Sequence, residues 1–245
     1  MGEARTIFRH AIQAYLRNIQ LITFFSIPSL LSLLIPLLTP YPTYVSIGAT
    51  FLRTGSMPEL TTIDQIIITS IFLISLFLLS FAIVSINLVI KSQRTLTKIK
   101  DEVMKGIETY TFNVFFLYVV ASLVILILTL ISFEYTIQPL VMPIAIFIIS
   151  LFLFYAPAAV VIDDLRFYRA LEQSIKLIKN KFPLFLLWVL GGFVLLSILD
   201  AILLAIMPHI YAEYLLLLIN SMIIMPFLTV VQTQIYISKY SLLRY

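Results

Sequence analysis

Over most of this chain apolar residues do not alternate with polar ones; they run on for about twenty residues at a time. Six such runs stand at about 19–38, 65–90, 112–132, 140–162, 183–207 and 214–237. A hydrocarbon core of about 30 Å takes ~20 residues of helix to cross. Within lipid every backbone N–H and C=O must be bonded internally, which leaves helices or closed barrels, and barrel strands alternate at period two. Apolar residues cover every face of the stretch from Ile66 to Ile86, so each run predicts a transmembrane helix. The expected fold is an all-α polytopic membrane protein, a single six-helix domain over residues 1–245.

The segments between the runs have a second pattern. Ahead of the fifth run, Leu165, Tyr168, Leu171, Ile175, Ile178 and Phe182 recur at three- and four-residue steps, while Arg166, Arg169, Lys176 and Lys179 face away. Asp163 or Asp164 supplies an N-cap for this helix, with acid at its positive end. Ahead of the third run, Leu96, Ile99, Val103, Ile107 and Tyr110 oppose Lys98, Asp101, Glu102 and Lys105. Ahead of the first, Phe8, Ala11, Ile12, Tyr15 and Ile19 oppose Arg5, Arg9, Gln13 and Arg17. Amphipathic helices of this kind lie in the headgroup zone, apolar side in lipid and basic side towards phosphates. Asn18, Asn113 and Asn180 mark comparable points where each turns into the membrane. The arrangement predicts a three-copy hairpin repeat over about 1–90, 91–162 and 163–245. Connections on the other side are short, Phe133 to Pro139 and Pro208 to Glu213. The exception is Thr39 to Asp64, Pro/Thr/Tyr-rich with an apolar piece at Val45 to Leu52.

Charge fixes the expected orientation. Of 16 Lys and Arg, only Arg53 falls on the side of the short connections. The positive-inside rule makes the other side cytoplasmic, with both termini there. The first apolar run is too long for a signal peptide. The opening MGEART matches an N-myristoylation pattern, although a six-span protein needs no acyl anchor.

Composition narrows the chemistry. The chain is 61% hydrophobic and 11% charged with a net charge of +4. A soluble domain carries roughly 25% charged residues. The absence of cysteine excludes disulfides and thiolate ligands or nucleophiles. No Gly-x-Ser-x-Gly elbow and no phosphate-binding glycine loop occurs. The two histidines, His10 and His209, fall on opposite sides of the membrane, so neither a metal nor another cofactor is expected. Asp163 with Asp164 could ligate a cation, but a helix cap accounts for them more simply. The excess positive charge suits anionic headgroups rather than nucleic acid.

One ionisable residue falls well inside a run. Asp200 lies seven residues before Met207, about 10 Å deep at the helical rise. A carboxylate there costs around 2–3 kcal/mol on insertion scales, so it should face the bundle, pair, or be protonated. It is a candidate relay with His209, Glu213 and Asn220, or a structural acid bonded to Ser197 or Asn220. Pro157 and Pro226 are candidate kinks. Gly191 with Gly192 offers a close helix approach or a hinge. Asn87, Gln232 and Gln234 either line an inner vestibule or bond across helices.

The stretch FYAPAAVVIDDLRFYRALEQSIKLIKNKFPLFLLWVL carries a Tyr-x-Pro (Tyr155, Pro157), an acidic exit (Asp163), an amphipathic helix with Ala170 and Ser174, and a Lys179–Asn180 step back into the membrane. It resembles a superfamily of six-span prokaryotic membrane proteins that includes the membrane domain accompanying some glycerophosphodiester phosphodiesterases. The N-terminal FRHAIQAYLRN resembles it more faintly. Where that pattern often has glycine after the asparagine, this chain has Lys181, and none of these 245 residues is expected to form a phosphodiesterase domain. The resemblance implies a six-helix fold and membrane or lipid association and does not imply hydrolysis; the expected location is a prokaryotic plasma membrane. The expected function is a carrier or channel for a lipid-like or small solute, without enzymatic activity. The alternative is a non-transporting scaffold that binds anionic lipid or a partner complex, with homo-oligomerisation open. A polar cavity at the midplane favours the first, a filled centre the second.

Overall fold

The computed structural model describes residues 2–37, 61–95 and 99–240, and the connection from Thr39 to Leu60 with Arg53 lies outside them. The described residues are all-helical, and six helical stretches are long and apolar enough to cross a membrane: Ile19–Pro36, Thr62–Gln93, Gly106–Glu134, Gln138–Asp163, Phe182–Ile206 and Tyr211–Tyr240. We number the helices in chain order: α1 (Gly2–Arg17), α2 (Ile19–Leu37), α3 (Thr62–Thr95), α4 (Ile99–Glu134), α5 (Gln138–Phe154) and α6 (Ala156–Asp163). After them come α7 (Phe167–Asn180), α8 (Phe182–Ile206), α9 (His209–Ile219), a π turn over Asn220–Ile224, α10 (Met225–Ile237) and a 3₁₀ turn over Ser238–Tyr240.

Local chemistry sets the boundaries. Thr61 and Asp64 form a capping box that starts α3. The Thr61 N–H donates to the Asp64 carboxylate at 3.0 Å and the Thr61 hydroxyl accepts from the Asp64 N–H at 3.2 Å. Four helices carry proline in the first two positions, Pro139, Pro157, Pro183 and Pro226. At Pro139, Pro157 and Pro183 the helix is just starting, so the missing N–H has no intrahelical acceptor to lose. Pro157 thus opens a new helix, and span four is broken one residue before α6 starts, at Tyr155 (φ −96°, ψ −1°). Ahead of Pro226 span six passes through the π turn. The short turns at the end away from the basic residues are tighter than expected: Tyr135 to Ile137, with Thr136 at φ 56°, and Met207–Pro208.

The amphipathic segments differ from the expectation in which side they bury. Helix α1 does not turn its apolar face wholly to lipid. It packs on α10, burying Ile7, Ala11, Ala14 and Tyr15, and leaves Ile12 and Leu16 outside. In α7 the buried side is Ala170, Ser174, Leu177 and Ile178, while Tyr168 stays exposed. The small residues allow α7 to lie close along α6. The segment before span three is no separate helix, because α4 runs unbroken for 36 residues, about 54 Å at the helical rise. The three asparagines accordingly occupy different settings. Asn18 sits buried in the turn between α1 and α2, its amide donating to the Ala14 carbonyl at 2.9 Å. Asn113 is an exposed position within α4, and Asn180 ends α7.

Burial is concentrated at one end of the bundle. Most fully enclosed side chains come from α1, from Ile22 of α2, from Val84 to Ile90 of α3, from Val114 of α4, from Ala156 to Val161 of α6, and from Val230, Val231, Ile235 and Tyr236 of α10. At the other end α5 and α8 present Leu140, Phe147, Phe193 and Ile206 outward. Helix α6 is the hub, touching α3, α4, α5, α7 and α10, whereas α8 packs chiefly on its neighbours α7, α9 and α10. Exposed Tyr135, Tyr211 and Tyr214 mark the far end, as interfacial tyrosines do.

Candidate functional site

The break in span four is satisfied by side chains from two other helices. The Ser174 hydroxyl accepts from the Tyr155 N–H at 2.9 Å and donates to the Leu151 carbonyl at 3.0 Å. It stands between an i and i+4 pair that an unbroken helix would bond directly. The Gln232 amide donates to the Phe154 carbonyl. Phe154 is ringed by edge-on aromatics, Tyr155, Phe185 and Trp188, with centroids 4.6–4.8 Å away. Trp188 donates to the Leu228 carbonyl at 2.8 Å. Asn87 accepts from the Thr233 hydroxyl at 2.7 Å. Asn87 and Gln232 therefore bond across helices rather than line a vestibule.

Below the break, α6 delivers two adjacent carboxylates in opposite directions. Asp163 is its last residue and Asp164 follows in the left-handed region at φ 54°, a conformation aspartate tolerates better than most residues. The N-cap of α7 is instead Arg166, with no side-chain capping bond. The expected cap is absent because the turn at Asp164 aims both acids at other helices. Asp163 accepts from Tyr236 at 2.6 Å, from Lys239 and from Tyr240. Lys239 also donates to the Tyr236 hydroxyl at 2.7 Å and lies 3.9 Å from that ring's centroid. Asp164 pairs with Lys91 at 3.2 Å and with the Tyr110 hydroxyl. Lys91 in turn donates to the Val161 carbonyl at 2.7 Å. The cation each carboxylate holds is thus a lysine. Together the two sets tie the end of span four to spans two, three and six.

Beside Asp163 lies a cleft of about 340 Å³. Helix α7 contributes Gln173, Lys176, Leu177 and Asn180, a single face at steps of three, four and seven; Asp163, Lys239 and Tyr240 form the opposite wall. Of the anionic-lipid candidates, Lys176 enters this cleft, and Arg166, Arg169 and Lys179 are exposed outside it.

The intramembrane candidates do not come together as one site. His209 and Glu213 form an exposed pair, 3.2 Å apart, at the far end. Asp200 is half-buried, and no hydrogen bond joins it to Asn220, Ser197, His209 or Glu213. Asn220 opens the π turn with its Oδ1 buried and unbonded. Gly192 faces span six, where an added Cβ would meet Leu228 at 3.2 Å; Gly191 faces open space. Neither interrupts α8, which is continuous over 25 residues. Among the described residues no group of three or more His, Cys, Asp or Glu is gathered to hold a metal.

Sequence reasoning missed Ser174 as a bridge, Lys91 and Lys239 as counter-ions, and Tyr110, Tyr236 and Tyr240 as donors. The only signal for any of these was the serine inside the amphipathic helix. Comparison with protein-family models, curated proteins and solved structures finds no match for this chain.

Proposed function

We propose that this chain is a non-enzymatic membrane scaffold that binds anionic phospholipid at its basic end. In this reading the basic end is cytoplasmic, both termini lie there, and α1 and α7 sit at the headgroup level of a prokaryotic plasma membrane. The observation that carries it is the filled basic half of the bundle. Buried Val84, Leu88, Val160, Val161, Ile235 and Tyr236 occupy the centre, and the two acid–lysine–tyrosine sets close the end below them. Such packing opposes a solute path, while Arg166, Arg169, Lys176 and Lys179 are exposed and free to meet anionic headgroups. Each basic residue near an anionic leaflet contributes about 1 kcal/mol. The resemblance of the span-four region to the six-span membrane-domain superfamily supports the same reading.

The test is the lipid retained by the full-length protein after purification in mild neutral detergent. The expected result is enrichment of anionic over zwitterionic phospholipid relative to the source membrane, lost when Arg166, Arg169, Lys176 and Lys179 are changed together to Gln. Retained lipid with the composition of the membrane would overturn the proposal.

A second reading, a carrier, is favoured by one observation: half-buried Asp200 has no hydrogen-bond partner among the described residues, and an unpaired acid within a span is a functional candidate by default. Solute flux in proteoliposomes that is abolished by Asp200→Asn would select this reading.

A further inference from the structure

We infer that the cleft between α7 and the C-terminal turn is a discrete site for one phosphate ester, carried by the headgroup of an anionic phospholipid. The inference rests on the anionic-lipid reading and deepens it, replacing a diffuse basic surface with one saturable position.

The donors are placed for an anion. Lys176 is exposed and forms no ion pair among the described residues. Gln173 and Asn180 offer side-chain amides from the same helix face. An ammonium has three protons; Lys239 directs one to Asp163 and one to Tyr236, which leaves the third for a ligand. Asp163 would repel a phosphate if it were free. Its oxygens are instead taken up by Tyr236, Lys239 and Tyr240, so the lining carries one net positive charge.

Size and position fit a lipid. At roughly 30 Å³ per water, 340 Å³ is room for about eleven waters, enough for a phosphate with a small polar alcohol. The cleft lies where spans four and six end, at Asp163 and Tyr240. An apolar lane starts two residues beyond Asn180, with Phe182, Leu186 and Leu190 of α8 exposed at successive turns. A soluble ester has no use for that lane; an acyl chain does. Arg166 and Arg169, at the opposite end of α7, take no part.

The experiment is a titration of the full-length protein in neutral detergent, followed by native mass spectrometry. The probes are dioleoylphosphatidylglycerol, dioleoylphosphatidylcholine and glycerol phosphate. One phosphatidylglycerol should bind ahead of all others, and Lys176→Gln should weaken that first event about fivefold. Asn180→Leu should weaken it as well, while Arg166→Gln with Arg169→Gln should not. Unchanged melting midpoints establish that the variants are folded. Equal weakening by the arginine pair would overturn the discrete site and leave the diffuse surface standing. No preference for phosphatidylglycerol over phosphatidylcholine in the unmodified protein would overturn both. Displacement by equimolar glycerol phosphate would keep the phosphate site and overturn the lipid as its source.

Discussion

Ser174 joins two helices through a single hydroxyl. It is fully buried, and it bridges the Leu151 carbonyl and the Tyr155 N–H across the break in span four. Lipid offers those groups no replacement, and a buried polar group left unbonded costs about 1–3 kcal/mol. Ser174→Ala should therefore lower the melting midpoint in detergent by several degrees. Ser150→Ala, at an exposed position on α5, should leave it unchanged. Equal midpoints for the two variants would mean that the break closes without the serine. Asp164 shows a related effect at residue scale. One left-handed residue separates two carboxylates that would otherwise leave a helix end together, and each then reaches a different lysine.

Among the elements, α1 is the one whose placement departs most from its sequence pattern. Its apolar stripe is wider than one contact needs, and the structure divides it: Ile7, Ala11 and Ala14 go to α10, Ile12 and Leu16 to the outside. Ala11 is completely enclosed, so a phenyl ring there cannot be accommodated without moving the helix. Ala11→Phe should detach α1 and speed tryptic cleavage at Arg5, Arg9 and Arg17. Ile12→Phe, on the exposed side, should cleave at the unmodified rate. Matching rates for the two variants would mean that α1 is held by lipid rather than by α10. The long helices α3 and α4 make the same point differently. At 34 and 36 residues they exceed the ~20 needed to span, and the surplus extends on the basic side, where Lys91 and Tyr110 meet Asp164.

At the scale of the whole molecule, packing and charge concentrate at the same end. The basic end holds the enclosed core, both lysine–aspartate sets and the cleft; the far end exposes apolar side chains, three tyrosines and the His209–Glu213 pair. If the basic end is cytoplasmic, a cysteine at Glu213 should react from outside with an impermeant thiol reagent in intact cells, and one at Glu172 should react only after permeabilisation. Both positions are exposed, and the native chain has no cysteine to confuse the result. The reverse labelling would invert the protein and move the cleft to the outer leaflet.

Apolar run length alone determined the number and approximate limits of the spans, because a hydrocarbon layer admits little besides helix and its thickness sets the length. Helical periodicity likewise picked out the apolar stripes on the segments that form α1 and α7. It could not say which part of a broad stripe meets protein and which meets lipid, since both are apolar and a sequence pattern does not distinguish them. The pairs Lys91–Asp164 and Lys239–Asp163 join residues 73 and 76 apart in the chain, and no local propensity encodes such a meeting. A proline could mark a break near Tyr155, but not that Ser174, 19 residues on, would bridge it. These outcomes were decided by tertiary structure: a carbonyl or carboxylate at a helix end takes whichever donor the packing of other helices brings within reach.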